Sequence, residues 1–402
     1  MNNQETNKEP DFKIDWCHEK INPVWDAFVE EVNGDIAQTS AWTHYEYQHF
    51  GWRTVRFIVK NDEQMVAGCQ ITIIHDDLLG NIGLVRSGPS FKVKPPELLS
   101  LAAKELKNSI QTLNLTYLMV SPDYYEHDLV PFLEDEQFGT KFPNLPPYKD
   151  LSFKGATLVL DLTLSTDDLL TQMKSSRRQG IRKGMKSPFR VRPGGREDLK
   201  VFCDLYHSSV RRRKYTDPVT NKTVDYYPSK DCDELYRMWD ELAPKGWIQL
   251  FMGTVDDEVI CGAMVFPFGK TLRGSTWGWN MKYPEYFVSE TTQWEMIQWS
   301  KSKGMLYYDF VQIDPQVAEA YRSSGPMPEE LKTNFFYGPT LFKLQFGGNI
   351  LKAPGLFVGY SDEMKHLMET AGDELARLLK QSKDFYWAKK NFFRDRQVSF
   401  YI

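Results

Sequence analysis

The chain has 402 residues, enough for two or three ordinary domains with separate cores. Hydrophobic residues make up 41% and charged residues 26%, a soluble balance that excludes wholesale disorder. The net charge of −5 excludes a polycation that coats nucleic acid, so a phosphate-bearing partner needs a local basic patch.

Taken in chain order, residues 1–13 are polar and read as frayed, with no apolar stretch of the signal-peptide kind. A helix is expected over 22–32. Residues 54–60 and 65–74 alternate as two strands of a hairpin, turned at Asn61-Asp62, and a third strand at 81–86 closes at Gly88-Pro89. Pro95 and Pro96 open a helix to about 113, followed by a buried strand at 115–120. The next unit begins with a strand at 157–162. Ser165 then caps a helix running to about 186, with Asp167 and Asp168 in its first turn. Helices at 196–213 and 230–242 precede strands at 248–255, 258–268 and 271–277, the first pair joined at Asp256-Asp257. A helix over 288–303 ends at Gly304 before a strand at 305–310. Alternation over 341–349 reads as a further strand, and the tail from 361 as an amphipathic helix followed by an aromatic-basic one. Strand, helices, three-strand meander, helix, strand is the element order of the GNAT acyltransferase fold. It occurs twice, a pseudo-duplication without a residue-level repeat, so the expected class is α/β with two GNAT-like domains.

Several functional classes lack their residues. No apolar run approaches the roughly 18 residues of a membrane span, which points to a cytoplasmic protein without integral membrane association. The five cysteines are scattered, never in C-x-x-C spacing, and read as reduced thiols rather than a disulfide framework or zinc site. The seven histidines show no metal-ligand spacing; His44 and His49 read as surface or core polar residues. No metal, nicotinamide or flavin cofactor is expected: there is no dinucleotide fingerprint, no P-loop and no G-x-S-x-G. Aromatic content of 14% exceeds what two small cores usually need, which suggests an open aromatic-lined cleft.

Two stretches carry candidate chemistry. Between 174 and 192 stand eight cations and no acid, of which Lys174, Arg178, Arg182 and Lys186 recur every four residues as one helical stripe. Without acids to form i,i+4 pairs, such a stripe is either a solvated face or a surface for phosphate, on a nucleotide or a tRNA acceptor end. Arg211 to Lys214 close the next helix, where cations also serve simply to complement the dipole. In 341–349, Lys343 is a charge in an apolar strand. It either reaches to water or stabilises the oxyanion formed when an amine attacks an ester. The CoA pyrophosphate loop of ordinary GNAT enzymes is missing at its expected place, 277–290; the run 177–182 (RRQGIR) comes near it but lies within a predicted helix.

Six segments then match one family in order: Gln38 to Trp42 with Trp52, Arg86 to Pro89, Met173 to Val191, Tyr206 to Arg212, Trp294 to Phe310, and Leu341 to Gly348. On these the chain resembles the Fem-type aminoacyltransferases, which build peptidoglycan interpeptide bridges from aminoacyl-tRNA. The resemblance implies two GNAT-like domains with a cleft between them, one at 1–155 plus 353–402 and the other at 156–352. It implies that Phe342 and Lys343 match a functional Phe-Lys pair, the lysine serving aminoacyl transfer. It further implies that Arg212 contacts the diphosphate of a muropeptide precursor, that Trp42 belongs to the substrate-binding set, and that the basic helix carrying Lys174, Arg178, Arg182 and Lys186 faces the same cleft. In that family an acceptor carboxylate, rather than a protein base, assists proton removal. Two departures stand out. Members that bind nucleotide-linked muropeptide carry a lysine shortly after the first-domain tryptophan, where this chain reads Thr43-His44-Tyr45-Glu46. Glycines usually follow the Asp309-Phe310 strand end, where this chain has Val311-Gln312. The expected function is transfer of an amino acid from aminoacyl-tRNA, as co-substrate, to an amine on a nucleotide- or lipid-linked muropeptide or a small metabolite. The alternatives are an acyl-CoA-dependent N-acyltransferase and a non-enzymatic polyanion binder.

Overall fold

The elements of the first unit follow local signals closely. A computed structural model describes residues 11–76, 79–140, 155–212, 214–216, 223–225, 230–323, 325–334 and 336–370. The described chain divides into one unit of residues 11–47, 51–140 and 356–367 and another of 48–50, 155–355 and 368–370. In the first, β1 (Phe12–Cys17) precedes α1 (Pro23–Glu31), whose cap is the Asn22 side chain accepting from the Trp25 N–H. α2 (Ser40–Phe50), β2 (Arg53–Asn61), β3 (Gln64–Asp76), β4 (Gly80–Arg86) and the short β5 (Ser90–Phe91) follow, then α3 (Pro96–Thr112), β6 (Leu115–Ser121) and α4 (Val130–Asp135). The sheet runs β1-β2-β3-β4-β6 and ends on the returning segment Phe357–Tyr360; β5 pairs off the path with β3. β2, β3 and β4 form an antiparallel meander, and β6 lies parallel to β4 because α3 carries the chain back across the sheet. α3 reads Leu98, Leu99, Ala102, Ala103, Leu106 and Ile110 on one face, and these pack with Phe57, Ile71, Val85, Leu118 and Val120 of the sheet.

The second unit repeats that frame. It comprises β7 (Ala156–Asp161), α5 (Thr166–Gln172), α6 (Ser175–Gly184), β8 (Arg190–Gly194) and α7 (Leu199–Arg211), then the two-stranded β9 (Lys214–Thr216) and β10 (Thr223–Asp225). α8 (Cys232–Leu242), β11 (Gln249–Val255), β12 (Glu258–Phe268), β13 (Thr271–Trp279), α9 (Val288–Ser302) and β14 (Tyr307–Asp309) come next. α10 (Pro315–Arg322), α11 (Glu329–Lys332), α12 (Tyr337–Leu344), β15 (Asn349–Lys352) and β16 (Phe357–Tyr360), the strand that completes the first sheet, end the series. The sheet order is β15-β7-β14-β13-β12-β11-β8. Again a meander, β11-β12-β13, is followed by a helix and a strand, β14, parallel to the last meander strand. Both sheets therefore hold the expected meander–helix–parallel strand order. No described helix is long and apolar enough to cross a membrane.

Four expectations need correction. The helix expected over 165–186 is two helices, because Met173 and Lys174 are extended (ψ 148° and 140°) and the Lys174 N–H bonds the Gln345 carbonyl at 2.9 Å. The strand expected over 341–349 is the last turns of α12, whose buried Thr340 and Leu344 are spaced i,i+4; Gly347 and Gly348, at φ 79° and 90°, stop it before β15. The end of the segment read as frayed forms β1, six residues paired with β2 from Phe12–Asn61 to Cys17–Arg56. Finally, Cys203 and Cys232 are joined in a disulfide, their Cα atoms 5.7 Å apart where α7 meets the start of α8; a spacing of 29 residues carries no pattern that announces it. The aromatic-basic stretch of the tail lies outside the described residues.

Candidate functional site

In the second unit, the end of α12 is stitched to the break between α5 and α6, so the helix end that carries Lys343 meets the basic segment there through Phe342 and Gln345. Arg177, the first-turn residue of α6 that points inward, organises the junction. It is buried, pairs with Glu290 of α9, donates to Gln345 Oε1 at 2.9 Å, and lies 4.2 Å over the Phe342 ring. Phe342 also packs on Phe346, whose ring is 5.0 Å from that of Phe310. Phe342 is therefore held between a cation and the aromatic core.

Lys343 reaches from the last turn of α12 to the strand end of β14. Its Nζ donates to the carbonyl oxygens of Val311 (2.9 Å) and Gln312 (2.8 Å). Those carbonyls are aimed by a turn in which Val311 takes φ +50°, a left-handed conformation that a β-branched residue adopts only under constraint. Position 311 is thus one where glycine fits without strain. The constraint is visible: the Val311 N–H donates to Asp309 Oδ1 at 2.7 Å, and the Thr157 hydroxyl donates to the same oxygen. Asp309 is buried, with Arg273 4.0 Å from its other oxygen. Burial pushes its carboxyl above the usual value, against the pull of Arg273, Thr157, the Val311 N–H and Lys343. Two carbonyls thus hold the Lys343 ammonium at the end of β14, where its positive charge can stabilise an oxygen that becomes negative.

The stripe of four cations does not survive as a unit. Lys174 caps α6, and Arg178 turns back to the Leu170, Thr171 and Met173 carbonyls at 3.0–3.2 Å, closing the C-terminus of α5. Lys174, Arg182 and Lys186 are exposed, as is Lys183. The apolar face is formed by Leu169, Met173 and Ile181, whereas Met185 is 42% exposed. Gly180 sits inside α6 where a Cβ would stand 2.7 Å from the Phe287 ring, so the run 177–182 is a helix-packing segment rather than a phosphate loop.

Arg212, just past α7, donates to the hydroxyls of Ser208 (2.7 Å) and Ser209 (3.0 Å) and to the Trp279 carbonyl, and remains exposed. Arg213 lies outside the described residues. Trp42 is wholly buried, with its indole N–H on Glu46 at 3.0 Å, so it is a core residue of the first unit instead of a surface that meets substrate. Glu46, within the stretch where a lysine was expected, is committed to a buried ion pair with Arg86. The Gln38 side chain bridges the Arg86 carbonyl (2.8 Å) and the Gln70 N–H (2.8 Å), which ties the Gln38–Trp42 and Arg86–Pro89 segments together in space.

Sequence reading missed Arg177, Asp309 as the anchor of the turn that Lys343 meets, and a basic cavity in the first unit. The cavity, about 230 Å³, is lined by His18, Lys20, His44, Tyr47 and Arg53 among others. Lys20 lies 3.7 Å over the Tyr47 ring and lowers the pKa of its hydroxyl. Only the crowding of basic residues from three separated segments marks it, and linear spacing does not show that.

The family model described as the FemAB family matches residues 22–234, and that of an acetyltransferase (GNAT) domain matches 171–322. No protein with a curated description matches the sequence. Among solved structures the chain is similar to the crystal structure of FemX, at 17% identity and TM-score 0.69, covering 89% of this chain and 99% of that one. It is also similar to L-PGS from Bacillus licheniformis, at 13% identity and TM-score 0.50, covering 91% and 98%. With the two sheets above, these place both units in the GNAT-like fold.

Proposed function

Because the chain belongs to the FemAB family and is a transferase, we propose that it moves an amino acid from aminoacyl-tRNA to an amine, with Lys343 stabilising the reaction's oxyanion. The acceptor amine attacks the ester carbonyl, a C–N bond forms, and charge collects on the carbonyl oxygen. As the C–O bond to the ribose breaks, the proton lost by the amine balances the charge on the departing hydroxyl. Lys343 is the observation that carries this reading: a cation clamped by two carbonyls, with no need to reorganise as negative charge appears. Phe342, fixed beneath Arg177, forms an apolar wall beside it. The exposed Lys174, Arg182 and Lys186 are suited to the phosphates of a tRNA acceptor end, and Arg212 to those of a nucleotide- or lipid-linked muropeptide. The cations around the 230 Å³ cavity offer an acceptor anion another anchor in place of the missing lysine.

Transfer of a labelled amino acid from charged tRNA to a panel of muropeptide and small amines tests this. Lys343→Met should lower kcat about 10²–10³-fold, the loss typical of one oxyanion donor, while Lys343→Arg retains part of it. Full activity of Lys343→Met removes the assignment. The match to a GNAT domain favours one second reading, transfer from acyl-CoA. Thermal protection by CoA, together with turnover of acetyl-CoA and none of aminoacyl-tRNA, would establish that reading instead.

A further inference from the structure

α7 and α8 bring together three side chains that the transfer reaction does not use. Cys203 and His207 are four residues apart on α7 and so share a face, and Cys232 is the first residue of α8. One donor atom from each lies within 4.8 Å of the other two. Cys203 Sγ stands 3.7 Å from His207 Nε2 and 4.0 Å from Nδ1. Nε2 is also 2.9 Å from the Lys230 carbonyl oxygen. A carbonyl can only accept, so Nε2 carries the ring proton and Nδ1 keeps its lone pair. An imidazole whose second nitrogen donates to a backbone carbonyl is the arrangement that metal-bound histidines use to fix their tautomer.

The donor set names the metal class. Two thiols and an imidazole suit zinc and disfavour magnesium or calcium, which take oxygen ligands. Bonds of about 2.3 Å to sulfur and 2.0 Å to nitrogen around a tetrahedral ion set sulfur and nitrogen about 3.6 Å apart. Cys203 Sγ stands 4.0 Å from Nδ1, so a small shift of either side chain reaches that spacing. The two sulfurs, joined here, must part to about 3.8 Å, a movement within side-chain reach. Only Cys203 of the three is buried, so an ion can enter from solvent.

We propose that the reduced Cys203 and Cys232 thiolates and His207 Nδ1 form a zinc site, of which the disulfide is the oxidised, metal-free counterpart. The exchange balances. One glutathione-type disulfide takes two electrons from the zinc-bound thiolate pair, leaving the protein disulfide, two free thiolates and a released Zn²⁺ ion. Either closure ties α7 to α8 around residues 204–231, the segment that carries Arg212. The site is independent of the proposed transfer reaction.

The test uses the full-length chain, reduced and desalted anaerobically or left oxidised, and titrated with zinc chloride against a chromogenic chelator. About one zinc per chain is expected in the reduced form and none in the oxidised form, with zinc raising the Tm of the reduced form alone. Cobalt in place of zinc should give thiolate charge-transfer absorption. His207→Ala should weaken zinc binding at least tenfold while still forming the disulfide, a combination that a purely structural disulfide does not produce. The proposal is overturned if the reduced wild type takes up no zinc at micromolar concentration, or if His207→Ala binds zinc as tightly as wild type. The wild-type titration decides the matter even if the variant fails to fold.

Discussion

Replacing Gly184 by alanine sets two effects of known size against each other. In a helix interior, alanine is favoured over glycine by up to about 1 kcal/mol, and somewhat less at the last residue of α6. Against this, a Cβ at Gly184 stands 2.7 Å from the Tyr286 carbonyl oxygen and overlaps Thr291 Oγ1. The carbonyl is backbone and cannot rotate away. Ordinary contact begins near 3.4 Å, so α6 has to retreat from the turn at Tyr286, just before α9, by about 0.7 Å. Overpacking of this kind costs about 1–3 kcal/mol, which outweighs the propensity gain and leaves a net loss of about 1–2 kcal/mol. For a unit of this size that is a fall in Tm of about 2–8 °C, read by circular dichroism. Gly338, in α12, has nothing within 4 Å of a built Cβ, and Gly338→Ala should raise stability by up to about 1 kcal/mol. If Gly184→Ala leaves Tm unchanged or raises it, α6 is not held against α9 by close glycine packing.

Two further outcomes follow from buried charges. Glu46→Gln leaves Arg86 buried without its carboxylate and should cost about 3–5 kcal/mol in denaturant unfolding; a loss below about 1 kcal/mol refutes the pairing as described. Asp309, with its carboxyl raised by burial, binds its proton in the folded chain at a pH where the unfolded chain has released it. Wild type should therefore gain stability relative to Asp309→Asn as pH falls from neutrality toward the ordinary carboxylate range, and a pH-independent difference between the two sinks the argument.

The frame was legible because it is locally encoded. The β2–β3 hairpin, α3 with its apolar stripe, and the β11–β12–β13 meander each announce themselves by period and turn chemistry within a dozen residues. What escaped was decided by partners distant in sequence. α2 is buried on nearly every side over its first turns, through Ser40, Ala41, Trp42, Thr43, Tyr45 and Glu46, so it has no amphipathic period to read. The break at Met173 and Lys174 forms because a carbonyl from α12, more than 170 residues later, takes the Lys174 N–H. The alternation over 341–349 was too short to separate a strand from the end of a helix packed by Thr340 and Leu344.

The basic segment shows why charge spacing alone misassigns roles. Four cations every four residues looked equivalent, yet Arg178 is consumed by the C-terminal carbonyls of α5 and Lys174 stands at a cap. Arg177, outside the stripe, is the cation that touches the Phe-Lys helix, because one residue along a helix turns a side chain by about 100° from the exposed face to the buried one. Its contacts reach Glu290 of α9, Gln345 and Phe342 together. A lysine in its place would keep the charge but lose the planar group that spans two hydrogen-bond partners while covering a ring. The residue that couples the basic helix to Lys343 is therefore set by shape, and a reading of charge could not single it out.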